Sequence, residues 1–588
     1  MALPPEVLQR IGVHLDPPSA AQAGATCRAW HAAMHAPALW RTYLVRCGYM
    51  APGASCRDAI GAQAASTSYA PAADRLAHIA TYEDLFRECW CRDARWGRHA
   101  PRAPADARVH LRPQLRYYRP SGADENVWRI KMDAAERTII TTGVHGGVRV
   151  IDSADGHVLW EIPPAATREC PHLEYSDGWL VFDQPGPAAF DVWCSERLTS
   201  ARAPRRGVYV HHGAITTPRP IMAYRLKCPT LACATLDGYV QLFDVAERRL
   251  RTEFRLSGGL NERGNVTYID FDARHVFITG RGCDAVSIYS HAGDLVWTLF
   301  DHIDRHPPPA CYVPDNGPPT ARNVFQQRHI VRVTSMPRWY AAHRSTLRTA
   351  LGVYEWFAVH PDEATDTLVL FGQGGLVLLR HYSAFLAGDA APELVSYALP
   401  VLRPLNARTR DGLPFGWQSF LLDYMTGQLS VADGRAIAVY GITTLLDLRT
   451  STPLVRDYTR ADSGGGVGHA PFAAYEWADM FTLFDTVSEA RDPLLRCSCV
   501  QMDASSIYVV ARQVLDKEDD AERDDDYQAE CIENDSSIVM SMHFGSGALP
   551  VVRRDDRVVL DPPAPPRATE GSIADLLQDI INDTMADN

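Results

Sequence analysis

Short apolar runs separated by turn signals dominate this chain from about residue 126 to about 560. The clearest unit reads Thr138-Ile139-Ile140-Thr141-Thr142-Gly143, a turn, Val148-Arg149-Val150-Ile151-Asp152, then Ala154-Asp155-Gly156 and Val158-Leu159-Trp160-Glu161-Ile162. Runs of this length, rich in Val, Ile, Thr and Leu and bounded by Gly and Asp, predict strands. Comparable units fall at 231–254, 275–299, 367–379 and 436–448, with weaker copies at 179–193 and 507–544. The units number about seven and mostly recur every 40 to 50 residues, the period of propeller blades. A four-stranded blade is apolar on both faces, so it needs a neighbour on each side and a closed ring. The expectation for 99–560 is an all-β propeller of about seven blades, with a strand near 108–118 closing the ring against the last one. A pair of β-sandwiches is the competing arrangement. No helical period runs through this region, which disfavours α/β.

The first 98 residues read differently. Leu3-Pro4-Pro5-Glu6 opens a helix, with proline in the first turn where its missing N–H costs nothing, and Val7, Leu8, Ile11 and Leu15 follow helical spacing. Asp16-Pro17-Pro18-Ser19 breaks it, and Ser19 is placed to cap a second, small-residue helix ending in Cys27-Arg28-Ala29-Trp30. A third helix runs through Leu39, Trp40 and Arg41 to Leu44. Three helices this short leave apolar surface uncovered, which points to docking. Residues 47–74 read as a loose Ala/Ser/Gly connection, and 82–97 as a helix with Leu85, Phe86, Cys89 and Trp90 on one side. The fold class is therefore α+β multidomain.

Residues 1–46 resemble the F-box family. The resemblance rests on Leu3, Pro4 and Glu6, on Ile11 and Leu15, on Asp16-Pro17, on Cys27, Arg28 and Trp30, and on Leu39, Trp40 and Arg41. It implies docking to a Skp-type linker of a Skp–cullin–F-box ubiquitin ligase, with Leu3, Pro4, Glu6, Val7, Leu8, Ile11, Leu15, Trp30, Leu39 and Trp40 as the contacts. In such proteins the remainder of the chain selects a protein substrate. The organisation is then 1–46 F-box motif, 47–98 helical linker, 99–560 propeller resembling WD-repeat-like and quinoprotein-like rings, and 561–588 a Pro-rich spacer with an acidic amphipathic helix.

Composition narrows the function classes. The chain has 588 residues, 46% hydrophobic and 22% charged, with net charge −13, which disfavours non-specific nucleic-acid binding. No apolar run approaches the ~18 residues of a membrane span. The opening Met1-Ala2-Leu3-Pro4-Pro5-Glu6 has no secretory character and the 14 cysteines are sparse, so the expected compartment is reducing, cytoplasmic or nuclear. There is no GxSxG, HExxH, P-loop or CxxC pair. Cys497 and Cys499 read as core thiols of one strand face. No cofactor, metal or catalytic residue is expected, and the expectation is a non-catalytic adaptor. The alternatives are a quinoprotein-type oxidoreductase and an F-box scaffold working outside a ligase.

Strand order locates a substrate face. Turns between the second and third strands of each blade share one end of the ring, which collects His145, Gln184, Asp237, Arg281, Asp284 and Gln373. Two insertions are expected there. Residues 301–352 are basic, with seven Arg against three Asp over 301–350, and 515–536 carry an acidic run from Asp516 to Asp526. Only three of the 58 basic residues are lysine: Lys131, Lys227 and Lys517. Coding bias and avoidance of ubiquitin acceptors both account for that.

Overall fold

The computed structural model describes residues 3–15, 17–95, 114–118, 126–184, 189–200, 203–261, 265–280, 286–299, 310–314, 325–328, 330–333, 356–372, 375–398, 428–440, 442–448, 454–456, 480–483, 497–513 and 536–543. The N-terminal region is helical: α1 (Pro5–His14), α2 (Pro17–Gly24), α3 (Arg28–Met34), α4 (Pro37–Arg46), α5 (Cys56–Ala65), α6 (Ala70–Ala77) and α7 (Tyr82–Arg95). Three expectations are corrected. The first 46 residues hold four helices rather than three, because Cys27 is fully extended (φ −160°, ψ 167°) and separates α2 from α3. Ser19 accordingly lies inside α2 rather than at its cap. The stretch expected to be loose forms α5 and α6. A capping box between Ser55 and Asp58 starts α5, while Ala59, Tyr69, Ala72, Ala73 and Leu76 are buried.

One apolar cluster unites this region from Leu8 to Cys89, so no core boundary falls at residue 46. Its centre is aromatic: the rings of Trp40, Tyr43 and Tyr49 lie 5.3–5.8 Å from that of Phe86. Gly12 is the closest approach of α1 to the rest. A Cβ there would sit 2.6 Å from Met34 Cε and 3.3 Å from Leu39 Cδ2. The last turn of α1 is held by α4, where the Tyr43 hydroxyl donates to the Gly12 carbonyl (2.5 Å) and Arg46 Nη1 to that of Val13 (2.6 Å).

The strands form seven sheets among the described residues. Blade one is Val127–Asp133, Thr138–Gly143, Val148–Asp152 and Val158–Ile162. Blades two, three and four repeat that antiparallel order, beginning at Leu173–Ser176, Ile221–Lys227 and Val266–Phe271. Blades five and six begin at Trp356–Asp362 and Gln428–Ala432. Blade seven has three strands from its own stretch, Cys497–Met502, Ser506–Gln513 and Ser536–His543; its outer strand is Gln114–Tyr118, drawn from before blade one. The seven first strands neighbour one another in a complete cycle, with blade seven against blade one. This is a seven-bladed propeller closed by its N-terminal strand. Five of those first strands carry a bulge at the same place, near their start. Such bulges add local twist, as a closed ring requires. One of them separates Cys497 from Cys499, and Cys499 is buried.

Neighbouring blades are joined by apolar clusters. Ile140, Val148 and Val150 of blade one meet Leu173, Leu180 and Phe182 of blade two. Across the closure, Ile130 and Ile139 meet Cys499, Tyr508 and Val510. Part of the 301–352 insertion is not loop. Ala310–Pro314 and Ile330–Val333 extend the outer edge of blade five, and Phe325–Arg328 that of blade six. These three segments lie on the outer rim rather than beside the channel, because an unpaired outer strand leaves backbone groups to satisfy.

Candidate protein-interaction sites

Three surfaces can carry function. The first is on α1, whose two sides face different surroundings. Leu8 and Gly12 pack inward. Leu3, Val7 and Ile11, one turn apart, remain 53%, 39% and 38% exposed, with Pro4 and Glu6 exposed beside them. Of the ten predicted contacts, these five form one accessible stripe. Leu8, Leu39 and Trp40 lie in the core of the helical region, and Leu15 and Trp30 are half-buried against it. Leu8, Leu39 and Trp40 therefore shape the surface from behind, since a buried side chain has no face left to offer a partner.

The second surface is an end of the ring. The helical region grips the end formed by first-to-second and third-to-fourth strand turns. The segment between α5 and α6 enters there, with Thr67, Ser68 and Tyr69 fully buried. The carboxylate of Asp503, in the blade-seven turn, accepts from the backbone N–H groups of Ser68 (2.8 Å), Ser505 (2.7 Å) and Ser506 (2.8 Å) and from the Ser68 hydroxyl. Tyr69 stacks on His543 with centroids 3.6 Å apart, and His543 bonds Ser506 and Ser541, each at 2.8 Å. Ser153 Oγ of blade one donates to the Ser68 carbonyl (2.8 Å), and Arg435 of blade six pairs with Asp93 of α7 (2.7 Å). This polar seam was not anticipated from the sequence, where Ser66-Thr67-Ser68 looked like linker.

The opposite end holds the second-to-third turns, away from these contacts. His145, Gln184 and Asp237 lie in those turns, as their positions between strands require. His145 is exposed. Gln184 Nε2 donates to Asp191 (2.5 Å), and Asp237 pairs with Arg219, which stacks over Tyr239 at 3.6 Å. Those two residues therefore brace their own turns. Arg281, Asp284 and Gln373 lie outside the described residues, as do 515–535 and the predicted C-terminal helix.

The third is the channel, a cavity of about 520 Å³ lined by the first strands of all seven blades. Its wall carries a charge network. Glu174 lies 3.0 Å from Lys131, 3.4 Å from Arg225 and 3.3 Å from His172. Asp270 lies 2.7 Å from Lys227, 2.6 Å from His360 and 3.7 Å from Arg225. Burial by itself would raise both carboxyls, yet the adjoining cations hold each well below the usual carboxylate range. Burial pushes His172 and His360 down, against the pull of those carboxylates. The network was missed in the sequence, although a signal existed. Several first strands carry ionisable residues at alternate positions, as in Arg129 and Lys131 or Arg225 and Lys227.

The F-box-like family model matches residues 1–46. The first 46 residues are F-box-like. The match falls on α1 to α4, and it implies a protein-interaction adaptor. No curated protein matches the chain. Among solved structures, the β-propeller domain of Myceliophteria thermophila Swd1 covers 68% of this chain and 96% of its own, at 9% identity and a TM-score of 0.36. A computationally designed protein, Ika8, covers 68% and 97% at 11% identity and a TM-score of 0.36. Another designed protein, Ika4, covers 29% and 94% at 14% identity and a TM-score of 0.22. The propeller architecture beside the F-box-like region rests on the chain's own seven sheets. No helix among the described residues is long and apolar enough to cross a membrane.

Proposed function

We propose that this chain is the substrate-recognition subunit of a Skp–cullin–F-box-type ubiquitin ligase acting in the cytoplasm or nucleus. The observation that carries the reading is the division of labour between its two ends. An F-box-like helix keeps Leu3, Val7 and Ile11 exposed while its own module is fastened to one end of the propeller, and the second-to-third turns lie at the other end. A Skp-type linker docks on the α1 stripe, and a protein substrate docks across the turns that include His145, Gln184 and Asp237. The ubiquitin chemistry belongs to other subunits, and this chain contributes no catalytic residue.

The test is affinity purification of the intact protein with identification of bound proteins, alongside Ile11→Asp. Recovery of a Skp-type linker and a cullin supports the reading. Ile11→Asp should abolish that recovery, since a carboxylate at the centre of an apolar interface costs roughly 2–5 kcal/mol. Equal recovery by the variant, with the propeller still folded, defeats it.

A further inference from the structure

Lysine is scarce in this chain, and its placement has a consequence for a ubiquitin ligase subunit. We infer that neither described lysine, Lys131 or Lys227, offers a free ε-amine, so at those positions the receptor is spared by the ligase it serves. The inference rests on the ligase reading.

Ubiquitin transfer needs a free ε-amine. The lysine Nζ attacks the thioester carbonyl, the N–C bond forms, the C–S bond breaks, and the departing cysteine sulfur takes the proton the amine gives up. Both described lysines are withheld from that step. Lys131 lies on the first strand of blade one, is 7% exposed, and points its ammonium at Glu174 (3.0 Å) inside the ring. Lys227 ends the first strand of blade three. Its side chain is 36% exposed, and what withholds it is that Nζ is held by two acceptors, the Phe271 carbonyl at 2.5 Å and Asp270 at 2.7 Å.

Both lysines therefore have structural work in the channel network. Exposed basic positions on the helical region and the outer blades, such as Arg57 and Arg249, are arginine. Whatever the origin of the arginine preference, exposed arginines such as these cannot accept ubiquitin.

The third lysine, Lys517, lies outside the described residues. It is removed from the question by working in a Lys517→Arg background with N-terminally acetylated protein. The assembled ligase is incubated with ubiquitin, its activating and conjugating enzymes and ATP, and conjugation sites on the receptor are mapped by mass spectrometry. Assembly with the linker and cullin is measured separately by size-exclusion chromatography. The expected result is no conjugate on Lys131 or Lys227. Arg57→Lys and Arg249→Lys, added singly, should each become modified at the new lysine. Conjugates on Lys131 or Lys227 of folded protein overturn the inference, and so does failure of both introduced lysines to be modified in a fully assembled complex. Failure of the complex to assemble overturns the ligase reading instead.

Discussion

Glu174→Gln removes one negative charge from the channel wall and nothing else of similar size. The carboxylate is 3% exposed and serves Lys131, Arg225 and His172 at 3.0, 3.4 and 3.3 Å. Its loss strands Lys131, whose side chain is 9% exposed, while Arg225 keeps Asp270 at 3.7 Å. Breaking a buried ion pair from one side costs about 3–5 kcal/mol. Glutamine still accepts one hydrogen bond, and channel water reaches Arg225, which is 22% exposed, so about 2–4 kcal/mol is expected here. The assay is urea unfolding followed by tryptophan fluorescence, with hydrogen exchange over 127–133, 173–176 and 221–227 to locate the loss. The pH dependence has a defined sign. A carboxyl held low in the folded state contributes stability above the unfolded carboxylate pKa of about 4.3, and loses it as pH falls through the folded value. The gap between wild type and variant should thus be full at neutral pH and narrow in acid. A second variant, Lys131→Met with Glu174→Met, removes both charges and should recover part of the loss, because an apolar pair carries no stranded ion. A Glu174→Gln variant within about 0.5 kcal/mol of wild type at neutral pH, or a gap that widens in acid, refutes the account of the network.

Gly12→Leu should disrupt the helical region while leaving the propeller intact, because the new side chain meets Met34 and Leu39 where there is room for none; loss of helical circular dichroism and of linker binding checks it, with about 1–3 kcal/mol expected from overpacking. Asp93→Asn leaves Arg435, 3% exposed, with Asp433 as a carboxylate partner and should loosen α7 from blade six, read as faster hydrogen exchange in both segments. Asp503→Ala should free the 66–69 segment, exposing Tyr69 and raising proteolytic cleavage between the helical region and the ring, since five donors lose their acceptor.

Much of the fold was readable before any coordinates. Strand units such as 138–162 repeat because each blade must present apolar residues on both faces, and that demand is written in local sequence. The same repetition puts the blade count at about seven, whereas the closing strand is decided by the pairing of Gln114–Tyr118 with the last blade. The F-box-like residues were also legible, because Pro4 and Pro5, the helical spacing of Val7, Leu8 and Ile11, and the Leu39-Trp40 pair are local features. Which of them face outward was not. Leu8 and Ile11 are equally apolar, and only the packing of α1 on α3 and α4 decides that Leu8 is buried and Ile11 exposed. The Ser66–Tyr69 segment reads as linker because its polar partners, Asp503 and His543, lie more than four hundred residues away in the chain. The channel charges show the same limit. Each of Lys131, Glu174, Arg225, Asp270 and His360 lies on a different blade, so their pairing exists only once the ring has closed. Local sequence determines which segments become strands and helices. Long-range closure decides which polar groups find one another, because a buried charge is tolerated only where the completed fold brings its partner.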